Sequence, residues 1–131
     1  MKLTHTRIVA RDIVSLTRFY ETITGVASWI GSPDYREIRT SGGVLALTTE
    51  GLIDGHSAGG ARAADNHSAI LDFLVDDVDG ERSRLDDIVE SWVLEPTNQP
   101  WGNRSMLFRD PEGNLINFYA PLGRSLVQAK G

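Results

Sequence analysis

Cysteine is missing altogether from this 131-residue chain, which excludes disulfides, thiolate metal sites and cysteine nucleophiles. Also missing is any apolar run near the ~20 residues that a membrane helix needs. The opening residues Met1-Lys2-Leu3-Thr4-His5 lack the apolar core of a secretion signal, so the expected location is the cytoplasm. No run of Lys or Arg exceeds two and the net charge is −5, so neither nucleic acid nor a membrane is an expected partner. There is no Ser/His/Asp set and no phosphate loop. What remains is ordinary: 40% apolar, 24% charged, and a length suited to one domain that buries roughly two-thirds of its unfolded surface.

The most informative stretch is Phe108-Arg109-Asp110-Pro111-Glu112-Gly113-Asn114-Leu115-Ile116-Asn117-Phe118-Tyr119. It reads as strand, tight turn, strand. Asp110 can bond its own backbone, Pro111 pre-sets φ and Gly113 permits φ > 0. The run 115–119 is rich in apolar and aromatic residues, with Asn117 at its centre.

In chain order, 3–10 reads as a strand. Asp12 is placed to cap a helix carrying Ile13, Leu16, Phe19, Tyr20 and Ile23, and Gly25 to end it. Strands follow at 26–30, 35–40 and 44–49, the last two joined by a turn at 41–43. Residues 50–67 hold four glycines and four alanines, and read as a flexible connector rather than a lid. The second half repeats the first: a strand at 70–75, Asp77 capping a short helix to about Ile88, a strand at 90–94, a loop with Pro96, Pro100 and Gly102, then strands at 104–109 and 115–119. Gly80 lowers the propensity of that second helix.

The repeat has a register. An offset of 65 residues carries Asp12 onto Asp77, His5 onto Ile70 and Arg7 onto Asp72. An offset of 71 carries Gly43 onto Asn114 and Ala46 onto Asn117. Side chains alternate along a strand. One face therefore carries Ile8, Ala10, Leu45, Leu47, Leu71, Phe73, Val75, Ile116 and Phe118, is uniformly apolar, and should lie under the helices. The other carries His5, Arg7, Val9, Ala46, Thr48, Ile70, Asp72, Leu74, Leu115, Asn117 and Tyr119. Its mixed character suits a ligand cavity.

The Asp-Pro-Glu-Gly-Asn turn, Phe19-Tyr20, Val75-Asp76-Asp77-Val78 and Pro100-Trp101-Gly102-Asn103-Arg104 together resemble the vicinal oxygen chelate superfamily, which holds glyoxalases, bleomycin-resistance proteins and extradiol dioxygenases. The resemblance runs from Leu3 to about Pro121. It implies an α+β fold of two βαβββ modules (1–50 and 68–122, with linker 51–67 and tail 123–131) whose sheets curl together, and a homodimer whose modules can pair across subunits. In metal-using members the four ligands would fall at His5, Ala46, Ile70 and Asn117. Only His5 is an ordinary ligand there, and His67 is out of phase with Ile70, so no metal or other cofactor is expected.

The candidate ligand-binding residues are His5, Arg7, Thr48, Asp72, Trp101, Asn117 and Tyr119, with His5 the one catalytic candidate. Each has a structural alternative. His5 can be an ordinary strand histidine, Arg7 and Asp72 a mutually neutralising pair, and Asn117 and Tyr119 partners of each other or of water. Trp29, Tyr35, Trp92 and Trp101 supply aromatic surface for cavity or core. Three functions stay open. The first is a metal-independent binder of a small organic ligand. The second is a metal-dependent lyase, isomerase or dioxygenase. The third is an enzyme using His5 as base and Arg7 as oxyanion partner.

Overall fold

The computed structural model describes residues 1–123, the side chains of 56 and 57 excepted. Most of the expected C-terminal tail, 124–131, therefore lies outside the described residues. The chain divides into two compact units, Met1–Asn66 and a second from His67 onward.

In the first unit, β1 (His5–Ala10) leads to α1 (Ile13–Thr24), then β2 (Trp29–Ser32), β3 (Tyr35–Arg39), β4 (Val44–Thr49) and α2 (Glu50–Ser57). The strands form one mixed sheet in the order β1-β4-β3-β2, with β1 parallel to β4 and the other pairs antiparallel. Helix α1 begins where Asp12 accepts the Ser15 N–H at 3.1 Å and ends at Gly25, whose φ is 71°. Its stripe of Ile13, Leu16, Tyr20 and Ile23 is buried, and each such side chain contributes on the order of 1.5–3 kcal/mol. The helix packs on β3 and β4, where Ile38, Leu45 and Leu47 are buried.

Residues 50–67 differ from the expected unstructured connector, because they open with α2. Thr49 caps it by accepting the Leu52 N–H at 3.2 Å, and Glu50 accepts the Ala63 N–H at 2.9 Å. Ile53 and Ala63 are then buried with Val9 of β1. Glycine content hid this helix, while one buried isoleucine and two polar caps suffice to hold it. Strand β2 also starts later than expected and runs through Gly31, with a register shift between Ile30 and Ser32.

In the second unit, β5 (Ile70–Leu74), α3 (Val78–Arg84), β6 (Ser91–Asn98), β7 (Asn103–Arg109) and β8 (Leu115–Pro121) form a sheet in the order β5-β8-β7-β6, with β5 parallel to β8. Asp77 caps α3 through the Gly80 N–H at 3.1 Å. A Cβ on Gly80 would sit 2.6 Å from Asp77 Oδ2, so the glycine that weakens the helix is also what admits its cap. Pro96, expected in a loop, lies inside β6. That strand is an edge with register shifts on either side of Leu94, where a missing N–H is tolerated. Phe73, Phe118, Phe108 and Trp92 meet edge-on or tilted in that order, with neighbouring ring centroids 5.1–5.7 Å apart.

The two units therefore each fold as strand, helix and three strands, in two four-stranded sheets. The equivalence reaches single residues. Arg7 pairs with Ala46 as Asp72 pairs with Asn117. Among the described residues no helix is long and apolar enough to cross a membrane.

Candidate functional site

Strand pairing sets three rows on the mixed face of the first sheet. They are His5, Val44 and Arg39; Arg7, Ala46, Glu37 and Trp29; and Val9, Thr48 and Tyr35. The corresponding rows of the second sheet are Ile70, Leu115 and Arg109; Asp72, Asn117 and Leu107; and Leu74, Tyr119 and Ser105. His5, Arg7 and Thr48 thus share one face, and Asp72, Asn117 and Tyr119 share another. Trp101 is on neither. It lies in the β6–β7 turn beyond Asn103 and is 67% exposed.

The first face centres on Glu37, which sequence reasoning missed. Its side chain is only 10% exposed. Oε2 accepts from the Tyr35 hydroxyl at 2.7 Å and lies 3.2 Å from His5 Nε2, and Oε1 accepts from Arg39 Nε at 2.8 Å. The Tyr35 hydrogen bond, then that of Arg39, holds the Glu37 carboxyl below the usual carboxylate range, against burial. Burial first, and then the bond to Glu37, pushes the Tyr35 phenol up. The signal was available in the alternation Tyr35-x-Glu37-x-Arg39, which places three polar side chains on one face of β3.

An ionised carboxylate only accepts, so His5 Nε2 carries a hydrogen toward Glu37. Nδ1 lies 2.8 Å from Thr4 Oγ1. Arg39 also stacks on Trp29, its guanidinium carbon 4.4 Å from the ring centroid, and Tyr35 meets the same ring edge-on at 6.4 Å. Trp29 lies flat across Gly31, where a Cβ would come within 2.9 Å of it. Arg7 is exposed and, among the described residues, forms no ion pair within its own unit. The Thr48 hydroxyl is fully buried and has no hydrogen-bond partner among the described residues.

On the second face, Asn117 Nδ2 donates to Asp72 Oδ1 at 3.0 Å. That orients the amide and leaves Asn117 Oδ1 buried without a described partner. Tyr119 is half-buried beside Ser105.

A sequence model of the Glyoxalase/Bleomycin resistance protein/Dioxygenase superfamily matches residues 2–118. The chain belongs to that superfamily. Solved structures agree on the fold. A glyoxalase/bleomycin resistance protein/dioxygenase family enzyme from Burkholderia phytofirmans PsJN superposes with a TM-score of 0.84 at 20% identity, over 93% of this chain and 100% of the other. A glyoxalase-related enzyme from Fulvimarina pelagi gives 0.78 at 20% identity, over 92% and 88%. A superfamily protein from Nocardioides gives 0.77 at 22%, over 95% and 85%. No curated protein matches the chain.

The superfamily's metal positions do not fit a divalent ion in this chain. Ala46 and Ile70 have no donor atom, and Asn117 offers one neutral oxygen. His5 has both ring nitrogens engaged. Glu37, the one carboxylate beside His5, already accepts from a guanidinium and a phenol. Among the described residues no three His, Asp or Glu side chains group to hold a metal.

Proposed function

We propose that this superfamily member binds a small organic ligand on the mixed faces of its sheets, without a divalent metal. The observation that carries the reading is that two polar atoms on these faces, Thr48 Oγ1 and Asn117 Oδ1, are buried without a partner among the described residues; a third such atom, Arg36 Nε, lies off these faces. Such atoms are rare in folded proteins and call for a water or a ligand. Half-buried aromatic side chains and a saturated ionic cluster stand beside Thr48, which suits recognition by shape with few polar contacts. The reading includes a cytoplasmic homodimer, supported by the resemblance to the superfamily and by exposed Trp29 and Ile30 on edge strand β2. Light scattering at micromolar protein should then give twice the 14.4 kDa chain mass.

The test is native mass spectrometry of the purified chain, followed by thermal-shift screening of a small-molecule library. A bound organic mass, or a compound that raises Tm in wild type and less in Thr48→Val, supports the reading. A library without any such compound counts against it.

The His5–Glu37 contact favours a second reading, metal-independent enzymatic proton transfer. A carboxylate-oriented imidazole takes a proton from substrate at Nδ1 once the Thr4 hydroxyl has moved off it. Turnover of a bound compound, abolished in His5→Gln while binding persists, would select it.

A further inference from the structure

We propose that the small molecule held on the first-sheet face carries a carboxylate, with Arg7 as its counter-ion. This rests on the ligand-binding reading above and names the ligand's chemical class.

The charge on the face points that way. Glu37 is the one acidic side chain in the three rows, and its two oxygens already face Tyr35, Arg39 and His5. Arg39 is committed to Glu37 and to the Trp29 ring. Arg7 remains, in the same row as Glu37 and across Ala46 from it, with no ion pair inside its unit among the described residues. Two arginines against one glutamate leave the face net positive in a chain whose net charge is −5. A guanidinium presents a planar fork of donors that matches a carboxylate through two parallel hydrogen bonds.

The neighbouring rows add a polar group and aromatic surface. Ala46 is the smallest side chain of the three rows and lies at their middle, flanked by Arg7 and Glu37 along its row and by Val44 and Thr48 along its strand. Ala46 and Thr48 are both fully buried. The Thr48 hydroxyl, without a described partner, lies in the row next to that of Arg7 and can donate or accept. Trp29 and Tyr35 offer aromatic surface for the rest of an organic acid. A neutral isostere could meet the same surfaces, yet it would gain nothing from the unpaired guanidinium.

The experiment compares matched acids and primary amides: benzoate with benzamide, phenylacetate with phenylacetamide, hexanoate with hexanamide. Binding to the full chain is measured calorimetrically for wild type, Arg7→Gln and Arg7→Lys. At least one acid should bind about tenfold or more tighter than its amide, since charged hydrogen bonds contribute about that much. Arg7→Gln should remove the preference, Arg7→Lys should keep part of it, and added salt should weaken it. Acids and amides binding alike would overturn the proposal while leaving ligand binding intact. So would a library in which only neutral compounds bind. No small molecule binding at all would overturn both readings. If Arg7→Gln fails to fold, the decision passes to wild type and Arg7→Lys, where an acid preference insensitive to salt overturns the proposal.

Discussion

Tyr35 gives its phenolic hydrogen to Glu37 at 2.7 Å, and the two residues stand two apart on one strand. Successive same-face positions of β3 thus solve a local problem. A carboxylate at the centre of a sheet face would be costly to bury bare. A phenol from one side and a guanidinium from the other stabilise its charged form. On the same face, among the described residues, Arg7 has no ion pair within its unit and the buried Thr48 hydroxyl has no hydrogen-bond partner.

Removing the phenol should therefore weaken the fold in a pH-dependent way. Glu37 has its folded pKa lowered. Its contribution is fully present above the unfolded carboxyl pKa of about 4.3 and is lost as pH falls through the folded value. Tyr35→Phe should cost about 1–2 kcal/mol at neutral pH, the range for losing a charged hydrogen bond. The deficit should shrink toward acid, where Glu37 is protonated in both proteins. Urea titrations at pH 7 and near pH 3 check this; an equal deficit at both would count against it.

The β7–β8 turn should be the most sensitive local structure of the second unit. Asp110 is buried and accepts from the Glu112 N–H at 2.8 Å, the Asn114 N–H at 3.0 Å and the Asn114 side-chain amide at 2.7 Å. Asp110→Ala strands buried donors, at about 2–4 kcal/mol. Asp110→Asn keeps an acceptor for the two backbone groups and should cost less. Chemical denaturation of both variants provides the ranking, and equal losses would contradict the hydrogen-bond account.

How far this could be read from residues alone depended on how much of the signal was local. The turn at Asp110, the caps at Asp12 and Asp77 and the parity of 44–49 are short-range features. They led correctly to two strand-helix-three-strand modules and to the equivalence of Arg7 with Asp72 and of Ala46 with Asn117. Helix α2 escaped because its glycine-rich sequence is held by Ile53 burying against Val9, a contact far away in sequence. Glu37 escaped because the register was carried through the first, fourth, fifth and eighth strands only. The partners of a β3 side chain come from strands that pairing, not sequence distance, brings beside it. Trp101 stands in the turn between β6 and β7, 67% exposed and outside the strand pairs that a register can place.

Gly31 makes the posture of Trp29 testable. A methyl group there would meet Trp29 ring carbons at 2.9 and 3.0 Å and Tyr35 Cδ2 at 3.2 Å. Trp29 is 44% exposed, so its ring can swing outward. Gly31→Ala should therefore change stability by no more than about 1 kcal/mol. It should still separate the ring from Arg39 and shift the Trp29 emission, read as the difference from a Trp29→Phe background. A large loss of stability with unchanged emission would mean that the ring is locked and the strand yields instead.

The last prediction concerns metal, and it follows from coordination chemistry. A divalent ion needs three or more anchoring donors, most of them imidazole or carboxylate, to offset its dehydration. The superfamily positions supply His5 and Asn117 and two side chains without donors. His5 could turn a ring nitrogen to a metal only by giving up Glu37 or Thr4. Glu37 could follow only by releasing Tyr35 and Arg39, and the freed guanidinium would then lie beside the cation and repel it. Purification without chelator or added metal should accordingly yield far less than one divalent ion per chain by elemental analysis. Titration with Zn²⁺, Mn²⁺ or Ni²⁺ should show no saturable micromolar site that His5→Ala removes. A near-stoichiometric ion that disappears in His5→Ala would refute this and restore a metal-dependent lyase or dioxygenase as the reading to pursue.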